Sequence, residues 1–252
     1  MDIPVLLFKT LLLRPYVFVF LAAALFVAHR LMGWHRTAWF FGLASLTSFI
    51  CEYASTRTGI PFGWYHYTGS TVDQELYLSN IPFIVPISFS FLLFASYCLA
   101  LFFLPARPSW TVFELTVLFA ILIDMVIDPV ALRGDRWFLG QLYLYRDPGI
   151  HFGVPVTNYI GWIAMGSIPL ALYFQLDRHL PPLTHRRDQA ITSDVLLGCG
   201  LYYGVLLFNL AVTFWIGELL LGMTGLLIYL PITALFLLRL VNRLPVLPAP
   251  HP

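Results

Sequence analysis

Seven apolar stretches follow one another along the chain, at about 15–33, 37–55, 82–104, 110–130, 155–175, 195–215 and 218–240. Each runs for roughly 17 to 23 residues, the length an α-helix needs to cross the hydrocarbon core of a bilayer. The sixth and seventh share a boundary near Gly217 with almost no loop between them. The pattern predicts an all-α fold, a polytopic transmembrane helical bundle of about seven spans, with residues 1–252 forming one integral-membrane domain. Residues 3–13 are apolar but interrupted by Lys9 and followed by Arg14, and no small-residue cleavage site leads into a polar mature protein. They read as an interfacial segment, not as a cleaved signal. Pro248, Pro250 and Pro252 predict an extended or disordered tail at 245–252.

The connections divide into two classes. Links near 30–36, 105–109 and 176–194, with the C-terminus, are short or basic, carrying Arg30, Arg36, Arg107, Arg178, Arg186, Arg187, Arg239 and Arg243. The slight excess of basic residues there favours a cytoplasmic C-terminus. On the other face lie two long loops, 56–81 and 131–154, rich in Trp, Tyr, Gly and Pro. Segments of that composition either form an interfacial aromatic belt or fold as a lid over a membrane-facing pocket, where protein must satisfy the non-helical backbone.

Composition sharpens this picture. Hydrophobic residues make up 59% of the chain and charged residues 11%, against roughly 25% charged in soluble domains. The formal net charge of +1 supplies no electrostatic case for nucleic acid. Cys51, Cys98 and Cys199 lie far apart in apolar runs and read as small buried hydrophobes. The seven histidines include no HxxxH or HxxHH cluster, and no metal is expected. Lys9 is the only lysine and lies outside any late span, which excludes a retinal Schiff base; nucleotide-binding and serine-nucleophile motifs are likewise missing from the sequence.

The informative residues are acids inside apolar spans, Glu52, Glu114, Asp124 and Asp128. Each costs roughly 2.5–3.5 kcal/mol at mid-helix. Asp124 and Asp128 are four residues apart and project from one helix face, and Pro129 ends or kinks that helix. Two carboxylates sharing a low-dielectric face resist being ionised together, and a carboxyl group that stays protonated is what acid catalysis requires. Glu52 is a third candidate catalytic carboxyl, and His66 and His151 are placed to reach down from the loops. The alternative is structural: acids hydrogen-bonded to Asn80, Asn158, tyrosine or arginine, stitching helices together.

Several segments occur in a recognisable order: Phe62-Gly63-Trp64-Tyr65-His66-Tyr67-Thr68-Gly69, Asn80-Ile81-Pro82-Phe83-Ile84-Val85-Pro86, Asp124-x3-Asp128-Pro129, Tyr143 through Gly153-Val154-Pro155, and Asn158-Tyr159-Ile160-Gly161-Trp162. Over about residues 45–165 the chain resembles the integral-membrane carotenoid 1,2-hydratases, which include the γ-carotene and bisanhydrobacterioruberin hydratases. The resemblance implies a cofactor-independent lyase of the cell membrane that adds water across the terminal 1,2 double bond of an acyclic carotenoid such as lycopene. Under that reading Asp124, Asp128 or Glu52 protonates the alkene. Trp64, Tyr65, Tyr67 and Trp162 face the resulting cation. A carboxylate, Asn80 or Asn158 holds the water, and His66 and His151 complete the substrate pocket. The implied partners are the bilayer-dissolved carotenoid and water, with homo-oligomerisation left open. A carotenoid end-group cyclase or another membrane prenyl-lipid enzyme would draw on the same acid-made cation, and a non-catalytic proton-coupled transporter would use the same buried acids differently.

Overall fold

The computed structural model describes residues 2–104, 109–180 and 192–242; the tail expected at 245–252 lies outside them. Helix α1, Ile3–Leu13, precedes α2, Pro15–Thr58, and the remaining long helices are α3, Ile84–Phe103, α4, Trp110–Ala131, α5, Val156–Asp177, α6, Ser193–Trp215, and α7, Leu219–Val241. Among the described residues six helices are long and apolar enough to cross a membrane. The first of them, α2, spans 44 residues and is broken at Gly33, whose φ of 77° is open to glycine at little cost. Its two halves run in opposite directions, as their partners show. Tyr16 stacks on Phe208 near the end of α6, whereas Arg30 binds Asp194 at the start of α6. Arg36 then pairs with Asp177 at the end of α5, and Glu52 returns to the end at which the chain entered. Counting the two halves of α2 separately, the described residues therefore hold seven long apolar helical segments, in line with the seven stretches of the hydropathy pattern.

Helix α3 is buried on nearly every side, from Phe89 through Ala100, and forms the axis of the bundle. Such a helix must be apolar all round, which is why it has no charged residue in its 20 positions. Several serines and threonines of the spans return their hydroxyls to the carbonyl four residues back, as Thr37, Ser96, Thr116 and Thr213 do. In a medium without water this satisfies each polar group inside its own helix.

The two aromatic loops lie at one end of the bundle and are joined to each other. Strand β1, Tyr65–Tyr67, pairs antiparallel with a strand from the second loop, Tyr143–Tyr145, in the register Tyr65↔Tyr145 and Tyr67↔Tyr143. Backbone hydrogen bonds from Thr68 to Leu142 (2.8 Å) and from Arg146 to Trp64 (2.9 Å) extend the ladder on both sides. Between these strands in sequence lie β2, Tyr77–Leu78, and β3, Ile81–Pro82, a second small pair; the Tyr143–Tyr145 strand is β4. The prolines of the spans do not end their helices: Pro129 sits in the last turn of α4, which continues to Ala131.

Arg14 and Glu75 form a fully buried ion pair at 2.9 Å, linking the α1–α2 junction to the first loop. Arg14 also donates to the carbonyl of Leu139 at 2.6 Å, and Thr10 Oγ1 accepts from the Leu76 amide at 2.7 Å. The loops are therefore tied down at three points in sequence, and both close over the bundle instead of lying free at the interface.

Candidate active site

Under the loops is a cavity of about 200 Å³. Four elements bring acids and amides to it, α6 among them with Asn209. The second half of α2 supplies Glu52, the end of α4 supplies Asp124 and Asp128, and the start of α5 supplies Asn158. Asp124 and Asp128 are four residues apart on one face of α4, about 6 Å along the axis. Asp124 is the deeper of the two and only 1% exposed. The other walls are apolar and largely aromatic, with Phe62, Phe89, Phe91 and Trp162. Phe89 meets Trp162 edge-to-face at 5.3 Å. Phe62 is held by its amide to Ser55 Oγ (3.0 Å) and its carbonyl to Thr157 Oγ1 (3.1 Å). Its ring lies where a side chain at Gly161 would otherwise project, with only 2.1 Å to an added Cβ.

The strand pair supplies the cover. Because side chains alternate along a strand, Tyr65 and Tyr67 of β1 and Tyr143 and Tyr145 of β4 point to one face, into the cavity. Their hydroxyls sort by carboxyl group. Tyr65 and Tyr67 both donate to Glu52 Oε2, the second at 2.7 Å. Tyr143 donates to Asp128 Oδ1 and Tyr145 to Asp128 Oδ2, the latter at 2.9 Å. Asp124 instead accepts from Asn158 Nδ2 at 2.7 Å through Oδ2. Burial first, and then the neighbouring Glu52 carboxyl, pushes the Tyr65 and Tyr67 hydroxyls well above the usual phenol range; burial and then Asp128 do the same for Tyr143 and Tyr145. All four remain protonated donors.

The structure thus brings together seven of the residues singled out in the sequence: Glu52, Asp124, Asp128, Tyr65, Tyr67, Asn158 and Trp162 line one cavity. It does not bring in the other four. Trp64 and His66 occupy the outward positions of the strand and are exposed, Trp64 at 46%. Asn80 accepts from Arg57 at 2.9 Å at the loop surface. His151 bonds through Nε2 to the Met125 carbonyl at 3.0 Å and is not among the residues lining the cavity. Glu114 is exposed near the other end of α4. Tyr143 and Tyr145 also line the cavity, and the only sequence signal for them is the Tyr-x-Tyr pattern they share with Tyr65-His66-Tyr67. Among the described residues, no three His, Cys, Asp or Glu side chains are grouped to hold a metal ion.

The fold and the cavity define a polytopic helical membrane protein with three buried carboxyl groups in an aromatic pocket. Residues 11–231 match the family described as carotenoid biosynthesis protein, and the chain belongs to this family. It is also similar to a bisanhydrobacterioruberin hydratase of Haloarcula japonica, 34% identical over 176 residues. That match covers 68% of this chain and 56% of the relative, so the chain spans little more than half of the relative's length. No solved structure matches the chain.

Proposed function

We propose that this protein is a carotenoid hydratase that adds water to the terminal 1,2 double bond of an acyclic end group, acting on a carotenoid dissolved in the cell membrane. The observation that carries the reading is the convergence of three carboxyl groups on one apolar, aromatic cavity to which no described lysine or arginine contributes. The Haloarcula japonica relative is named as a hydratase, which supports water addition as the reaction.

The hydrogen-bond pattern divides the roles. A carboxylate is acceptor-only, and two phenolic donors match it; Glu52 and Asp128 each have such a pair. Asp124 receives one amide bond, on Oδ2, which leaves Oδ1 to carry a proton. Asp124 gives that proton to C2 as the alkene π pair forms the new C–H bond. A tertiary cation develops at C1, facing the ring faces of Phe89 and Trp162. Water adds at C1 through an oxygen lone pair, its surplus proton goes to a carboxylate, and a proton passed back across the cavity restores Asp124. The sum is one water added and no change of oxidation level, so the reaction as proposed calls for no redox cofactor.

The test is pigment analysis in a host that makes lycopene, with and without the gene. The expected result is gain of one or two waters per carotenoid, as tertiary alcohols. Cyclised pigment of unchanged mass would move the reading to a cyclase, and unchanged pigment with proton-coupled uptake into vesicles would move it to a transporter.

A further inference from the structure

We infer that Ser48 positions the water that attacks the carotenoid cation, holding it jointly with Glu52. The inference rests on the hydratase reading above and adds a residue to it. Ser48 lies in the second half of α2, is 0% exposed, and lines the cavity. Its Oγ has no hydrogen-bond partner. That sets it apart from Thr37, Ser96, Thr116 and Thr213, which all bond back to the carbonyl one turn earlier. An unpartnered hydroxyl inside a membrane bundle is costly, and a hydroxyl that forgoes its own helix is free to bind something in the cavity.

The second partner lies one helical turn away. Glu52 is four residues after Ser48 and therefore on the same helix face, and it lines the same cavity. Tyr65 and Tyr67 both occupy its Oε2, and no described donor reaches Oε1. A buried water needs two to four polar partners. Ser48 Oγ and Glu52 Oε1 offer a donor-acceptor and an acceptor in neighbouring positions. A water held there donates one O–H to Glu52 Oε1 and turns a lone pair outward. When its oxygen bonds to C1, the O–H bond facing Glu52 breaks and the proton passes to Oε1. The tertiary alcohol remains, and the charge on the cation is discharged without any other reagent. Asp124, on α4, stays the proton donor to C2, so protonation and water capture are carried out by different helices.

This division makes the inference testable apart from the reaction itself. Membranes carrying wild-type protein, Ser48→Ala, Ser48→Cys and Ser48→Thr would be given an acyclic carotenoid in D₂O. Two readouts would be taken per folded protein: hydrated product, and deuterium at C2 in the recovered starting carotenoid, which reports cations that formed and lost a proton without being captured. Ser48→Ala and the nearly isosteric Ser48→Cys should lower hydration about tenfold, the worth of one well-placed hydrogen bond, while deuterium at C2 stays at or above the wild-type level. Ser48→Thr, which keeps the hydroxyl, should restore hydration. Hydration by folded Ser48→Ala or Ser48→Cys within twofold of wild type would overturn the inference. So would parallel loss of hydration and exchange, because the residue would then be serving protonation or packing. A wild-type protein that hydrates no acyclic carotenoid would defeat the hydratase reading and this inference together.

Discussion

Two groups of buried acid occur in this molecule and are treated in opposite ways. Glu75 is sealed: its carboxylate faces the Arg14 guanidinium at 2.9 Å, both side chains are wholly buried, and Arg14 is further bound to the Leu139 carbonyl. Glu52, Asp124 and Asp128 are lodged in a cavity and meet only neutral donors, four phenols and one amide. An arginine partner fixes a carboxylate as an anion and uses up its lone pairs. Neutral partners leave the charge of the site adjustable and its proton available. The first arrangement closes a structure, and the second is the one the proposed reaction uses.

Disrupting one site of each kind should separate these roles most strongly. Asp124→Asn keeps shape and can keep a hydrogen bond to Asn158 but has no acidic proton. Loss of a positioned general acid costs about 10²–10⁴-fold, so hydration per folded protein should fall by that factor with insertion and thermal stability nearly unchanged. Near-normal hydration in Asp124→Asn would remove this residue as the acid. Arg14→Met should do the reverse. It strands Glu75 without its partner, a loss of about 3–5 kcal/mol for a buried pair, and stability measured by thermal aggregation in detergent should drop sharply. Arg14→Met with Glu75→Leu should recover much of that loss, because two apolar side chains leave no unpaired charge. A double variant as unstable as the single would contradict the closed-pair reading.

The phenol pairs predict a smaller effect. Tyr145→Phe deletes one donor to Asp128 and leaves the ring, so the cost is about one hydrogen bond to a charged acceptor, ~1.5–3 kcal/mol. Hydration should fall roughly tenfold or more, with the strand pair intact by limited proteolysis. If Tyr145→Phe matches wild type, Asp128 does not depend on its phenols and belongs with the helix-stitching acids instead.

How much of this could be read along the chain depended on whether the signal was local. The seven apolar helical segments follow from apolar length alone, and even the break at Gly33 falls inside the short link expected at 30–36. Asp124 and Asp128 were visible because four residues make one helical turn. The Arg14–Glu75 pair was not: the partners are 61 residues apart in sequence, and nothing local to either residue marks it as buried or paired. Ser48 gave no signal, since a serine in an apolar span is unremarkable until the fold places its unpartnered hydroxyl against the cavity. The joining of the two loops lay between these cases, with two Tyr-x-Tyr patterns present but nothing in the sequence to say that they pair.

The segment Trp64-Tyr65-His66-Tyr67 shows most plainly where the reading along the chain went astray, and it carries the smallest expected effect. Four aromatic or titratable residues in a row look like one patch, and all four were expected in the substrate pocket. In a strand, successive side chains take opposite faces, so Tyr65 and Tyr67 reach Glu52 while Trp64 and His66 face outward. Trp64→Leu therefore removes an interfacial ring that packs beside Gly59 and nothing from the cavity. Surface changes of this kind stay within about 0.5 kcal/mol, and hydration should remain within roughly twofold of wild type. Tyr65→Leu, one residue on, takes away both a donor to Glu52 and a cavity wall and should reduce hydration far more. The comparison needs only product per folded protein for the two neighbours. Equal losses would mean that the strand does not hold this register over the site, and a loss in Trp64→Leu alone would mean that the outward face is the one that meets the substrate.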